Sequence, residues 1–139
     1  MTTQTISRNA SSPSAGGGHL RRSIRLDLFG WTAVGALLAA AAGPLADLLA
    51  VPAGWLLASG LALLVGAPAS LWLLERRVGY SRKLVGWFAA LNLDAGVLLW
   101  LALLAGWLPV DGALWWALAG VADLCLIFGI VQFLAWRKG

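Results

Sequence analysis

The sequence predicts an all-α polytopic membrane protein, a bundle of four transmembrane helices with both termini in the cytoplasm. Hydrophobic residues make up 60% of the 139 residues and charged residues only 12%, about half the charged share of soluble domains. Long segments carry no charge, and the basic residues gather in three places. A single Cys, His and Met cannot supply a disulfide framework, a zinc site or a bis-His haem site, so we expect no metal and no cofactor.

Four uncharged or nearly uncharged segments are long enough to cross a bilayer. Nineteen residues without charge separate Asp27 from Asp47, and 27 separate Asp47 from Glu75. Each of the two later segments contains a single acid, Asp94 or Asp123. A helix needs about 20 apolar residues to cross the hydrocarbon, and a lone segment in lipid can pair its backbone groups only as a helix. We therefore predict helices near residues 26–43, 53–74, 83–107 and 112–136.

The chain is predicted to divide into a flexible cytoplasmic tail, residues 1–20, and a four-helix transmembrane domain, residues 21–139. The tail contains clustered Ser and Gly residues, which are typical of disordered segments. An alternative for residues 1–42 is a cleaved signal peptide, because Ala39–Ala42 resembles a small-residue cleavage site.

The segment after helix 1 contains Gly43 and Pro44. Proline fixes φ and lacks an amide donor. Pro44 therefore either ends helix 1, with a short interfacial helix following, or kinks a helix that continues to Ala50. Pro68 inside helix 2 is expected to kink that helix for the same reason.

The ten basic residues predict the orientation. They lie before helix 1, between helices 2 and 3, and after helix 4: Arg8, Arg21, Arg22, Arg25; Arg76, Arg77, Arg82, Lys83; Arg137, Lys138. The other two connections carry Asp47 and Asp111 and no base. The positive-inside rule assigns the basic side to the cytoplasm. We therefore expect a multi-pass protein of the bacterial inner membrane with both ends inside the cell.

The basic connection between helices 2 and 3 is expected to contact anionic lipid headgroups. Each base near such a surface contributes about 1 kcal/mol, and this connection has four, Arg76, Arg77, Arg82 and Lys83. The pI near 10.2 reflects this one-sided distribution rather than a basic groove. The lipid bilayer is therefore the expected partner, and nucleic acid is not.

Small residues spaced four apart predict where the helices pack. Helix 2 carries five of them on one stripe (Gly54, Ala58, Ala62, Gly66, Ser70), and helix 1 carries three (Gly35, Ala39, Gly43). No hydrophobic force drives helices together in lipid, so close backbone approach at small residues is important for their association. We predict that helix 1 packs on helix 2, and the helix 2 stripe meets either the same chain or a second copy. The alternative is that Gly and Ala are simply abundant.

Two aspartates are the main candidates for chemistry. Asp94 and Asp123 each lie about ten residues inside a helix, which is about 15 Å, near the predicted midplane of the bilayer. A charge at this depth costs on the order of 3 kcal/mol, so we expect both carboxyls to be protonated or to share a proton. They form either a proton- or cation-responsive site or hydrogen bonds between helices. Asn92, a possible polar neighbour, is expected mainly to bond another helix, since it points about 200° away from Asp94.

Four other polar residues have simpler interpretations. Asp27 is expected to open helix 1, where a carboxylate favours the positive end of the helix dipole. Gln132 is expected near the cytoplasmic surface, within reach of a neighbouring helix. Cys125 is expected in the core, and His19 in the solvated tail.

Five short motifs occur along the chain: Leu26-Asp27, Gly43-Pro44-Leu45, Pro52, Ala90-Leu91-Asn92 and Gly106-Trp107. Together they resemble a group of small four-helix bacterial integral membrane proteins of unassigned function. The resemblance covers roughly residues 21–136 and implies four spans. It implies no activity and no functional residue.

We expect a non-enzymatic membrane protein that associates with itself or with a larger membrane complex. The stripes of small residues would supply this contact. The alternative function is a small proton- or cation-linked transporter or channel that uses Asp94 and Asp123. The sequence has no nucleophile–base arrangement and no phosphate-binding loop, so no enzymatic activity is expected.

Overall fold

The structure, a computed structural model, describes residues 16–138. These residues form five α-helices and one π-helical turn, and the described part of the chain contains no strand. Residues 1–15 of the predicted tail, with Arg8, and Gly139 lie outside the described residues. In chain order the elements are α1 (Gly16–Ala40), α2 (Ala42–Leu49), α3 (Ala53–Leu73), the π-turn (Leu74–Val78), α4 (Arg82–Leu104) and α5 (Gly112–Lys138).

Four helices are long and apolar enough to cross a membrane. Three of them are α1, α4 and α5, and the fourth is α3 together with the π-turn. The predicted all-α class with four membrane-length helices is therefore confirmed. The short helix α2 is an additional element between α1 and α3.

The first helix differs from its predicted bounds. It begins at Gly16 rather than near residue 26, and it ends at Ala40 rather than near residue 43. In a continuous helix the ring of Pro44 would clash with the carbonyl of Ala40, four residues earlier. The chain turns at Ala41, and the separate helix α2 follows and ends at Leu49, where it is capped by Ala50, whose φ is 53°. Of the two predicted arrangements, the structure has the break followed by a short helix.

Burial explains why α1 starts so early. Leu20, Ile24 and Leu28 recur every four residues and pack in one cluster with Ala67 and Val85. Leu20 is only 6% exposed. The prediction of a flexible tail is therefore wrong for residues 16–20. They form the start of α1, and Leu20 in its second turn is buried.

The long helices pack as two pairs. α1 lies against α3 and α4 lies against α5, with more extensive contact within each pair than between them. α1 joins the pairs by packing on α5, whereas no Cα atom of α3 lies within 8 Å of one in α4 or α5. α3 is therefore an outer helix with a single long neighbour.

Glycines allow α1 and α3 to approach closely. A Cβ atom placed on Gly60 would lie 2.6 Å from the amide nitrogen of Ala39 and 2.8 Å from the carbonyl oxygen of Gly35. A Cβ atom on Gly35 would lie 2.8 Å from the carbonyl oxygen of Gly60. These neighbours are backbone atoms that cannot move aside, so the contact requires glycine. The predicted packing of helix 1 on helix 2 is present, with Gly35 and Ala39 at the contact.

Basic residues gather at one end of the bundle. Glu75 in the π-turn accepts a hydrogen bond from Arg21 at 3.2 Å and is also bonded by Arg25. A cleft brings the start of α1 beside Lys138 at the end of α5. This end is termed the basic end. At the opposite end, α2 lies beside the connection between α4 and α5, and neither segment carries a Lys or Arg.

Candidate functional site

Three polar side chains meet inside the bundle, near the basic end. Asp27 of α1 and Gln132 of α5 are 2% and 0% exposed, and Asn92 of α4 is partly buried. Gln132 Nε2 donates to Asp27 Oδ2 at 2.7 Å. Asn92 Nδ2 donates to the same oxygen at 3.1 Å and to Gln132 Oε1 at 3.0 Å. We term this group the polar cluster.

Helical periodicity places the members of the cluster in the interior. Asp27 lies between Ile24 and Leu28, which both belong to the buried face of α1. Gln132 lies three residues from each of Gly129 and Ala135, which are buried on α5. Residues three and four apart share a helix face. Both polar side chains are therefore held where the two helices pack.

The polar cluster leaves one buried atom without a partner. Oδ1 of Asp27 makes no hydrogen bond to any described residue, although Oδ2 accepts two. A buried neutral group without a partner costs about 1–3 kcal/mol. Removing the partner of a buried charge costs about 3–5 kcal/mol. The environment of Oδ1 therefore favours a neutral carboxyl over a carboxylate.

The polar cluster also connects the two helix pairs. Asp27 belongs to the α1–α3 pair, while Asn92 and Gln132 belong to the α4–α5 pair. Among the described residues, no other side-chain hydrogen bond joins one pair to the other. The remaining contact is apolar; Gly30 of α1, for example, faces the ring of Phe128 on α5.

Sequence reasoning missed the role of Asp27. It placed this residue at the opening of helix 1, but the helix begins at Gly16, so the Asp27 carboxyl is far from the positive helix end. A usable signal was present in the sequence. Leu20, Ile24 and Leu28 are spaced four residues apart, which predicts a helix that starts before Leu20 and has Asp27 on the same face as this apolar stripe. The expectations that Asn92 and Gln132 bond neighbouring helices agree with the observed contacts.

The structure does not bring together the two aspartates that were predicted to lie near the bilayer midplane. Asp94 and Asp123 are both exposed on the outer surface of the α4–α5 pair, and no hydrogen bond joins them. Asp123 Oδ1 accepts from Trp100 Nε1 at 3.0 Å. Asp94 lines a groove of about 590 Å³ with Trp87 and Phe133. Neither aspartate is hydrogen-bonded to Asn92, whose amide donates to Asp27 and Gln132 instead.

The stripe of small residues on α3 faces away from the bundle. All five of its residues are exposed: Gly54, Ala58, Ala62, Gly66 and Ser70. A Cβ atom on Gly54 or Gly66 would meet no atom of the described residues within 4 Å. The side of α3 that packs on α1 contains Gly60 and Ala67 instead. Gly43, assigned to the helix 1 stripe, is exposed in α2. We term the five exposed residues the outer face of α3.

The four bases predicted to contact headgroups are exposed at the basic end. Arg76 lies over the ring of Trp72 at 6.0 Å, and Arg82 lies over the ring of Trp136 at 5.0 Å. Lys83 lines one end of the groove that contains Asp94. A cation within about 6 Å of an aromatic ring centroid is attracted by the ring.

The chain matches no protein-family model, no curated protein and no solved structure. The resemblance to small four-helix bacterial membrane proteins therefore stays a prediction. The described residues contain no group of three or more His, Cys, Asp or Glu side chains that could hold a metal ion.

Proposed function

We propose that this chain is a non-enzymatic multi-pass protein of the bacterial inner membrane that associates with a second copy through the outer face of α3. The observation that carries this proposal is the direction of the small-residue stripe. It matches the pattern by which membrane helices approach one another, yet no helix among the described residues covers it.

The burial of the helices supports an interface on α3. Only 11% of its most apolar 18-residue stretch is buried within the bundle, compared with 28% for α1 and for α5. The outer face extends over 17 residues from Gly54 to Ser70, or about 24 Å along the helix. That length is most of the hydrocarbon thickness of a bilayer. A second helix could therefore pack along α3 through almost the whole membrane.

A second copy is the partner that best fits this face. In a two-fold dimer whose axis is normal to the membrane, the same residues of both chains lie at the same depth. Ala62, near the middle of the face, would then meet Ala62 of the other copy. The small side chains would allow close contact along both helices.

The positions of Asp94 and Asp123 support a proton-linked transporter less well than the outer face of α3 supports self-association. A proton-linked site that uses Asp94 and Asp123 would need both carboxyls to line one path, but each faces outward from a different helix. An exposed carboxyl near the midplane is unfavourable against lipid. Contact with a further membrane protein at the α4–α5 surface would relieve this cost, as in an accessory subunit.

The distribution of charge supports an orientation with the basic end in the cytoplasm. Nine of the ten Lys and Arg residues lie within the described residues, at the start of α1, at the π-turn and start of α4, and at the end of α5. The positive-inside rule assigns this end to the cytoplasm. Arg76, Arg77, Arg82 and Lys83 would then contact the anionic headgroups of the inner leaflet.

Ala62→Leu tests the proposed interface. A leucine there would prevent close approach of two α3 helices but would not touch α1, so the oligomer should dissociate while each chain stays folded. The mass measured in mild detergent or nanodiscs should fall from a multiple of 14.6 kDa to that of one chain. Ala95→Leu, at an exposed alanine of α4, is the matched control and should leave the mass unchanged.

Cysteine cross-linking in native membranes identifies the partner. Ala62→Cys should form a disulfide with a second copy, because two-fold contacts bring equivalent residues together, while Ala95→Cys should not. The natural Cys125 is buried and should give little background. A wild-type protein that is monomeric in lipid, or an oligomer that Ala62→Leu leaves intact, would refute the proposed interface; a cross-link to another protein would favour an accessory subunit.

A further inference from the structure

We propose that Asp27 is a proton-binding site, buried where α1, α4 and α5 meet and supplied with protons from the basic end of the bundle. The site is separate from the outer face of α3, so it does not depend on the proposed self-association. Binding converts the Asp27 carboxylate to the carboxylic acid by placing one proton on Oδ1.

The hydrogen bonds of Asp27 leave a place for one proton. Oδ2 already accepts from Gln132 and Asn92, whereas Oδ1 is buried without a hydrogen-bond partner among residues 16–138. A proton on Oδ1 removes the buried charge and leaves both bonds to Oδ2 in place. A carboxylate at this position would instead be a buried charge with half of its acceptor capacity unused.

The donor set favours a proton over a metal cation. A small cation such as sodium needs several oxygen ligands, but Asn92 and Gln132 direct N–H groups, not oxygens, at Asp27. The third oxygen nearby, Oε1 of Gln132, is already bonded to Asn92. The cluster therefore offers a cation one free carboxylate oxygen and two repulsive N–H dipoles.

A polar route leads from the basic end toward Asp27. A cleft of about 360 Å³ between α1 and α5 is lined by His19, Ser23 and Lys138. His19, Ser23 and Asp27 lie four residues apart in sequence, so they follow one face of α1 at intervals of about 6 Å. Ser23 is 3% exposed, and its hydroxyl donates to the carbonyl of Leu20 at 2.9 Å. The Ser23 hydroxyl is therefore an intermediate polar group between the cleft and the carboxyl.

The charged and titratable neighbours do not neutralise Asp27. On α5 the titratable group in the interior is the buried thiol of Cys125. α4 presents the amide of Asn92, and α3 contains no titratable residue. Arg25, two residues before Asp27, is bonded to Glu75 of the π-turn. Because no base among the described residues pairs with Asp27, a proton is the counter-charge that remains.

Infrared spectroscopy of two variants in lipid nanodiscs tests the proposal. In Asp94→Asn/Asp123→Asn, Asp27 is the remaining aspartate of the four long helices. We expect its spectrum at neutral pH to contain the C=O stretch of a protonated carboxyl. Adding Asp27→Asn should abolish this band while the protein stays folded, because asparagine is neutral and similar in shape.

The double variant decides the outcome even if the triple variant does not fold. Carbon-13 labelling of aspartate should shift the protonated-carboxyl band of the double variant. A band that does not respond to the label, or no band at neutral pH, overturns the proposal. A melting temperature of the double variant that rises with sodium or potassium, without such a band, would instead identify a metal-cation site.

The route from the cleft can be tested with the same band. In deuterated water the band should shift as the proton exchanges for deuterium. Ser23→Leu should slow this exchange severalfold, because leucine removes the hydroxyl and fills the space between the cleft and Asp27. Ser59→Leu, at an exposed serine of α3, is the control and should not slow it. Equal exchange rates in both variants would overturn supply through this cleft.

Discussion

At the scale of single residues, the polar cluster selects one packing register of the two helix pairs. With apolar side chains alone, the two helix pairs could pack in several registers, because the exposed and buried faces of their helices are equally hydrophobic. Asp27 bonds Gln132 of α5 and Asn92 of α4 in the observed register, so a slip of α1 along the α4–α5 pair would break two hydrogen bonds in the interior of the bundle. Buried polar groups are known to select one arrangement in this way in coiled coils.

Gln132→Leu should therefore destabilise the fold by about 1–2 kcal/mol. The substitution removes two hydrogen bonds but leaves Asp27 and Asn92 in place, so the cost arises from the polar groups that remain unpaired. Thermal unfolding in one detergent, followed by circular dichroism, measures the effect. Ile130→Leu, at a position that is 51% exposed, should be neutral. A Gln132→Leu variant as stable as the wild type would contradict the role of the cluster.

At the scale of elements, α3 uses its two faces in different ways. The inner face carries Gly60, where the backbones of α1 and α3 nearly touch. The outer face carries Gly54 and Gly66, where an added Cβ atom would meet no described residue within 4 Å. Glycine is thus required for the packing of α3 on α1 at the inner face, whereas the glycines of the outer face pack on no described residue. Only the outer face is available to a partner.

Gly60→Ala and Gly54→Ala separate the two faces experimentally. The new methyl at position 60 would overlap backbone atoms of Gly35 and Ala39, and overpacking of this kind costs about 1–3 kcal/mol. Alanine at position 54 has free space and a better helix propensity than glycine. Thermal unfolding in detergent should show a lower midpoint for Gly60→Ala and an equal or higher midpoint for Gly54→Ala. The reverse order would show that α1 and α3 do not pack at Gly60.

The positions of the helices were predictable from the sequence, but which side of each helix is buried was not. Charges such as Asp47 and Glu75 delimit apolar segments whose length alone predicts a span. In water the polar side of a helix would show which side is buried, but α3 is apolar all round, so the stripe through Ala62 gave no sign that it faces outward. The start of α1 was missed because Arg21 and Arg25 suggest a solvated tail, whereas both bond Glu75.

At the scale of the whole molecule, two helix pairs meet along α1 and α5, and within residues 16–138 the polar cluster supplies the side-chain hydrogen bonds between them. Each pair is held by close backbone contacts of its own, as at Gly96, where a Cβ atom would lie 2.9 Å from the carbonyl oxygen of Ala122. The contact between the pairs is therefore less extensive than the contact within each pair. A proton on Asp27 would act at the contact between the pairs, which links the proposed site to the packing of the whole bundle.

Reporter fusions should place the two ends of the bundle on opposite sides of the membrane. The ends of α1, α4 and α5 that carry Lys and Arg form one end, and the segments around Ala50 and residue 110 form the other. Because the basic end is expected in the cytoplasm, alkaline phosphatase fused after Gly139 should be inactive and a fluorescent protein there should be bright. Alkaline phosphatase inserted after Ala50 should be active. Fusions at both positions that report the same compartment would contradict four crossings, and exchanged activities would reverse the orientation while leaving the fold unchanged.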